Sequence, residues 1–473
     1  MQKKVEFPVE FVVHTKTRKT TFIMYSTSIR DGFGRSVDIL NNSNVTRMAG
    51  LCAAVHHLKR CGALASLHAG LDSVLPDRGQ KSKVKFKASE LLELRIFALM
   101  AGSEDLNDFP DLARDPGFTM VFGKKDLPST ATLCRFERRI SQKVIDRGNS
   151  FLLETFFKYC GNQRYLYIDV DNTPVELFGH QENVHYNGHY RCNCYLPLLA
   201  FINGYPVGVF NGHEDGRKNM AAQFRKMVET IRARRKDSII ILRADSGFNG
   251  RTLIDLCEEL GCYYIIGLAP NSRLVKLLED WEPEFVDVLR RPPQAGGSLL
   301  RHYGEIEDYQ AQSWSSPRRV IVRDYWDDVR RQWDPRFVQT NIPKISDGRC
   351  GRLWRLSARE LYANVYCERG RAEKFNQEFK VQAFGARASS TRFLSNSYRM
   401  LLGAICQLFF QILRKCFFNK RAKWNSVNLE TFRSAFIKVP ALLVLQKKRV
   451  KIHLNLSGVA EHDLRRFWTP LLL

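Results

Sequence analysis

The chain has 473 residues, with 73 Lys plus Arg against 49 Asp plus Glu, so it is long enough for roughly two to four domains, and its formal net charge of +24 favours a polyanionic partner, nucleic acid first. No run approaches the roughly 18 to 20 uninterrupted apolar residues of a membrane span, since the most apolar stretch, Leu401 to Phe418, carries Gln407, Gln411, Arg414 and Lys415 and reads as a buried or amphipathic helix. Twelve cysteines without a C-x-x-C pair argue against a disulfide framework, and an N-terminus with no continuous apolar segment argues against a secretory signal, so a cytoplasmic protein is expected.

In chain order, residues 1–45 are weakly patterned. Residues 46–160 carry helical periodicity in Ala88 to Ala101 and Thr130 to Phe151 and predict a helical domain for DNA binding or dimerisation. Within it, Leu127-Pro128-Ser129 supplies a turn and a cap before a helix whose face holds Arg135, Arg138, Arg139 and Lys143. These arginines are candidate DNA contacts, although a solvated basic face reads equally well.

From Arg164 the pattern alternates, with Leu166, Ile168 and Val170 pointing one way and Tyr165, Tyr167, Asp169 and Asp171 the other, which predicts a strand. Strands are also expected at Tyr195 to Ile202 and Pro206 to Phe210. After a helix from about Asn219 to Arg234 come a strand ending at Asp245, the helix Arg251 to Leu260 and the strand Cys262 to Leu268, a β-α-β order. Residues 161–271 are therefore expected to open an α/β catalytic domain. Prolines and glycines break the rhythm over 272–358, which predicts a mostly β insertion. Helices resume over 359–420 to complete the interrupted domain, and 421–473 form a basic C-terminal segment.

Two strands that end in Asp171 and Asp245 deliver carboxylates to one sheet edge if they run parallel, and ligands of open α/β sheets bind at that edge. Grouped hard oxygen donors suit Mg²⁺. An isolated Asp after a strand is more often a turn or cap residue, so the pair alone does not decide the matter. A third segment, Tyr366 to Lys380, adds weight: on a straight helix Arg369, Glu373 and Lys380 fall about 60°, 20° and 40° to one side of Tyr366. Cys192 and Cys194 lie near His180, His185 and His189, but the spacing fits no common zinc module.

The run Tyr366-x2-Arg369-x3-Glu373-x6-Lys380 resembles the Y-R-E-K signature of bacterial insertion-sequence DDE transposases at every fixed position. Asp169-x-Asp171-x-Thr173, Asn187-Gly188-His189-Tyr190 and Arg243-Ala244-Asp245-Ser246-Gly247-Phe248 are similar to the insertion-sequence family numbered thirteen-eighty, within transposase DDE group 1, and the likeness spans about residues 85 to 415. The resemblance implies an RNase H-like catalytic domain interrupted by a β insertion and preceded by a helical domain. It also implies a catalytic triad of Asp171, Asp245 and Glu373, with Asp169 as the rival of Asp171.

Two Mg²⁺ ions, or Mn²⁺ in their place, are implied as metals held by those three acids for cleavage of the element ends and joining of their 3′-OH groups to target DNA. Tyr366, Arg369 and Lys380 are implied DNA contacts. The implied partners are double-stranded DNA carrying terminal inverted repeats, target DNA and a second copy of the chain, in a bacterial, nucleoid-associated setting. Two alternatives stand beside this reading: a haloacid-dehalogenase-type phosphohydrolase using Asp169-x-Asp171, and a non-catalytic DNA-binding protein.

Overall fold

Alternation over Tyr165–Asn172 is what a strand with two unlike faces requires. In the computed structural model this segment is the centre of a large sheet. The structure describes residues 9–12, 25–30, 36–41, 44–76, 84–124, 126–211, 220–290, 298–312, 314–327, 331–417, 423–445, 449–454, 463 and 467. The chain divides into two compact units, one formed by residues 152–377 and the other by residues 1–151 together with 378–473.

The sheet of the first unit contains, in chain order, β1 (Tyr165–Asn172), β2 (Leu198–Ile202), β3 (Tyr205–Phe210), β4 (Ile239–Ala244), β5 (Tyr263–Leu268), β6 (Phe285–Arg290), β7 (Ser298–Tyr309), β8 (Arg318–Asp327) and β9 (Arg336–Thr340). Their order across the sheet is 3-2-1-4-5-9-8-7-6. β1, β4 and β5 run parallel to one another, and the remaining pairings are antiparallel. The strands of residues 272–358 thus extend this same sheet from the free edge of β5. The hairpin from β2 to β3 turns on Asn203 and Gly204, both at positive φ, as a two-residue turn demands.

The two faces of the sheet bury different partners. Leu166, Ile168, Val170, Ile240, Leu242 and Ile266 pack in one core with Phe224 and Ile231 of the helix Met220–Arg234 and Ile254 and Cys257 of the helix Arg251–Glu259. Ile239, Ile241 and Ile265 face the other way and meet Leu361, Tyr362 and Val365 of a helical run. That run bears the third acid, and its packing sets where the acid stands. Pro197 separates β2 from a short strand, Cys192–Tyr195, so the single strand expected over 195–202 is two strands in two sheets.

In the second unit the expected helix Ala88–Ala101 forms within those bounds, with Glu90 accepting from the Lys87 backbone N–H and Gly102 at positive φ closing its end. The helix expected over 130–151 is two: Thr130–Glu137, capped by Ser129, and Gln142–Tyr159, whose residues from 152 onward belong to the first unit. The apolar helix spans Phe393–Phe417. At the N-terminal end, Val9–Val12 pairs with Arg449–Leu454, a contact between opposite ends of the chain. Among the described residues, no helix is long and apolar enough to cross a membrane.

Candidate active site

Register brings the two acid-bearing strands together. On parallel neighbours β1 and β4, Asp169 stands opposite Arg243. Asp171 and Asp245 each follow two residues later, so they emerge on the same face, one step nearer the C-terminal edge.

The two layers differ sharply. Asp169 is 2% exposed and takes two hydrogen bonds from Arg243, Nε to Oδ1 and Nη2 to Oδ2, each 2.7 Å. The third guanidinium nitrogen, Nη1, donates to the Val365 carbonyl at 2.9 Å, and the group lies 4.8 Å from the Tyr167 ring centre. Arg243 therefore ties β1, β4 and the helical run into one unit through a planar fork that lysine lacks.

Asp171, half-buried, has no such partner. Burial, with the nearby Asp245 and Glu373, pushes its carboxyl up to about 6, against the opposing charge of Arg369. Asn376 Nδ2 donates to its Oδ2 at 2.8 Å. Asp245 caps a short turn by accepting from the Gly247 backbone N–H at 2.8 Å, which engages one of its two oxygens. The turn role and a place in the site coexist.

The third acid sits on an irregular helical run. Leu361–Tyr366 is a π-helical stretch, Cys367–Arg369 a 3₁₀ turn, Gly370–Gln377 an α-helix and Glu378–Gln382 again π-helical. The uniform 100° step expected of this segment is therefore broken on both sides of Glu373. Phe375 anchors the helix, its ring 5.8 Å from that of Phe201 and so close over Gly204 that a Cβ there would meet it at 2.6 Å.

Tyr366 is fixed in the same manner. A Cβ on Gly267 of β5 would lie 2.7 Å from the Ser246 backbone nitrogen and 2.8 Å from the Tyr366 hydroxyl, so a side chain there would displace the turn after Asp245 or the ring beside it. Burial and the Asp245 charge raise the Tyr366 phenol, with Arg369 opposing. For Arg369, burial works against the charge but Tyr366, Asp171, Asp245 and Glu373 outweigh it, and the guanidinium is held above its usual value.

Tyr366, Arg369, Asp171 and Asp245 are thus brought together. Glu373 is near, 3.8 Å from Arg369, with a side chain 68% exposed. Lys380 is half-buried and belongs to the other compact unit, as do Arg135, Arg138 and Arg139, all three exposed.

The expected three-acid metal cage is not assembled: among the described residues, no three His, Cys, Asp or Glu side chains lie close enough to hold an ion. Glu373 stands outside the pair of aspartates, its side chain 68% exposed and 3.8 Å from Arg369. Cys192, Cys194 and His185 form no such group either, although His185 and Cys194 are direct cross-strand partners. The donor set itself is a fit for a hard divalent cation, with two aspartates at neighbouring strand ends and an exposed glutamate on the helix Gly370–Gln377.

A family model described as transposase DDE domain group 1 matches residues 43–471. The chain belongs to this family. It is a DDE transposase, an enzyme of the nuclease and transferase class whose substrate is DNA and whose relatives use divalent metal ions. No curated protein matches the chain.

Sequence reasoning did not single out Arg243, Gly267 or Asn376 of this transposase. A signal existed for Arg243, which precedes Asp245 by the same two residues by which Asp169 precedes Asp171. Asn376 stands one helical turn beyond Glu373, and nothing in the spacing marked it.

Proposed function

We propose that the chain binds the ends of an insertion sequence, cleaves them by Mg²⁺-dependent phosphodiester hydrolysis, with Mn²⁺ able to substitute, and joins the 3′-OH ends to target DNA. Asp171, Asp245 and Glu373 are the catalytic and metal-holding acids in this reading. The observation that carries it is the pair of aspartates at the C-terminal ends of adjacent parallel strands, with the Glu373 helix packed on the same face. The strand order 3-2-1-4-5, with only β2 antiparallel to its β1 neighbour and β3 to β2, supports an RNase H-like core.

A divalent cation would supply Lewis-acid stabilisation of charge on the attacking and leaving oxygens. The protein's own residues do the rest. Asp171 must be ionised to take part, and Arg369 favours that form. Gly267 and Tyr366 hold the floor of the site, while Arg369 offers a fork for a phosphate oxygen. Glu373 swings from its exposed position to close the set. Lys380, Arg135, Arg138 and Arg139 are proposed contacts to the DNA backbone, residues 46–160 a DNA-binding and dimerisation region, and a homodimer the form that holds two ends.

Asp171 is preferred to Asp169 because both oxygens of Asp169 are committed to Arg243. The same commitment disfavours a phosphohydrolase, in which Asp169 would have to attack a substrate. The test is cleavage of a labelled duplex bearing the element's ends, with Mg²⁺, by wild type and by Asp171→Ala, Asp245→Ala and Glu373→Ala. Retained end binding with cleavage lost in all three is expected, and cleavage surviving in Asp171→Ala would sink the assignment.

A further inference from the structure

Asn376 is 7% exposed and lies on the helix Gly370–Gln377, one turn after Glu373. A carboxylate offers only acceptors, so the amide has to present its nitrogen to Asp171, as it does at 2.8 Å. That orientation leaves Asn376 Oδ1 buried without a hydrogen-bond partner. The helix is held rigidly by Phe375 on Gly204, so the amide is presented to Asp171 by an anchored element.

We propose that Asn376 is a positioning residue for cation binding: its amide nitrogen holds the Asp171 carboxylate through Oδ2 and so sets the orientation in which that acid meets the ion. The inference rests on the reading of Asp171 as a metal-holding acid. Asn376 touches neither substrate nor ion directly in this role and acts through Asp171. Because the same short helix bears Glu373, it couples the second oxygen of one acid to the place of another.

The experiment is thermal stabilisation of the full-length, DNA-free protein by Mg²⁺ alone, titrated for wild type, Asn376→Ala, Asn376→Leu and Asp171→Ala. The leucine variant keeps the volume and removes the donor. The Mg²⁺ midpoint is expected to rise about 10-fold or more in both Asn376 variants, the range seen when a ligand's outer partner is removed. The proposal is overturned by an unchanged midpoint in an Asn376 variant that folds, whatever its metal-free stability. If Asp171→Ala also leaves the midpoint unchanged, the metal-site reading falls with it, whereas a midpoint abolished by Asp171→Ala alone removes only the role of Asn376.

Discussion

Two charge clusters, one in each compact unit, are built on opposite principles. In the second unit Glu137, 2% exposed, accepts from Arg95 Nε on one oxygen at 2.9 Å and from Arg399 Nε on the other at 2.8 Å. Arg399 reaches on toward Asp105, itself paired with Arg387. Each carboxylate has a guanidinium. In the first unit Asp171, Asp245 and Glu373 share one, Arg369. The matched cluster holds helices together, while the unmatched one is short of positive charge. That shortage is what a cation-dependent site needs before its ion arrives.

The largest effects break the contrast outright. In the matched cluster, Glu137→Leu strands two buried guanidinium groups, and removal of one partner from such a pair costs about 3–5 kcal/mol. A marked fall in the urea midpoint is expected whether or not Mg²⁺ is present. Arg243→Leu should match it in size, because Asp169 would be left buried and alone, and here end cleavage should be lost together with stability. If Arg243→Leu instead melts like wild type, the clamp between β1, β4 and the helical run is not structural.

The unmatched cluster should answer to pH. Asp171 is raised in the folded chain, so its contribution to metal-free stability is full below the ordinary carboxylate range and is lost as pH rises through about 6. Mg²⁺ binding runs the other way, since it needs the ionised form, and its affinity should fall as pH drops through about 6. A Mg²⁺ titration that is flat between pH 5 and 8 would contradict this.

The smallest effect sharpens the comparison. Asp171→Asn removes a charge the metal-free fold does not favour, so it should raise the metal-free melting temperature at pH 8 by about 2–4 °C. The gain should fade toward pH 4, and the Mg²⁺-induced rise should disappear. The equivalent change in the matched cluster, Glu137→Gln, should lower the melting temperature at pH 8, because it weakens the bonds from Arg95 and Arg399.

Elements governed by local pattern were legible in the sequence. Tyr165–Asn172, Arg251–Glu259 and Ala88–Ala101 follow from alternation or 3.6-residue periodicity, with an apolar face that the structure buries. Breaks were not: Pro197 cuts one expected strand, and the expected helix over 130–151 stops after Glu137, whose backbone carbonyl accepts from the distant Ser395 Oγ. Long-range pairing left no trace either, as with Val9–Val12 and Arg449–Leu454. At the site, residue types and spacing marked the acids. The Asp169–Arg243 clamp and the Asn376 hydrogen bond join residues 74 and 205 positions apart, and only the sheet register and the seating of Phe375 bring them within reach.

The π-helical stretches on either side of Glu373 have an implication for how this chain tolerates change. A π turn holds one residue more than an α turn, and the wide turn absorbs it, so what lies beyond keeps nearly the direction it would have on a regular helix. A single deletion within Leu361–Tyr366 would be taken up by closing that turn, with Arg369 and Glu373 aimed much as before, whereas a deletion within the regular winding of Gly370–Gln377 would swing every later side chain by about 100°. The spacing of the motif is therefore strict where the winding is regular and slack where it is not.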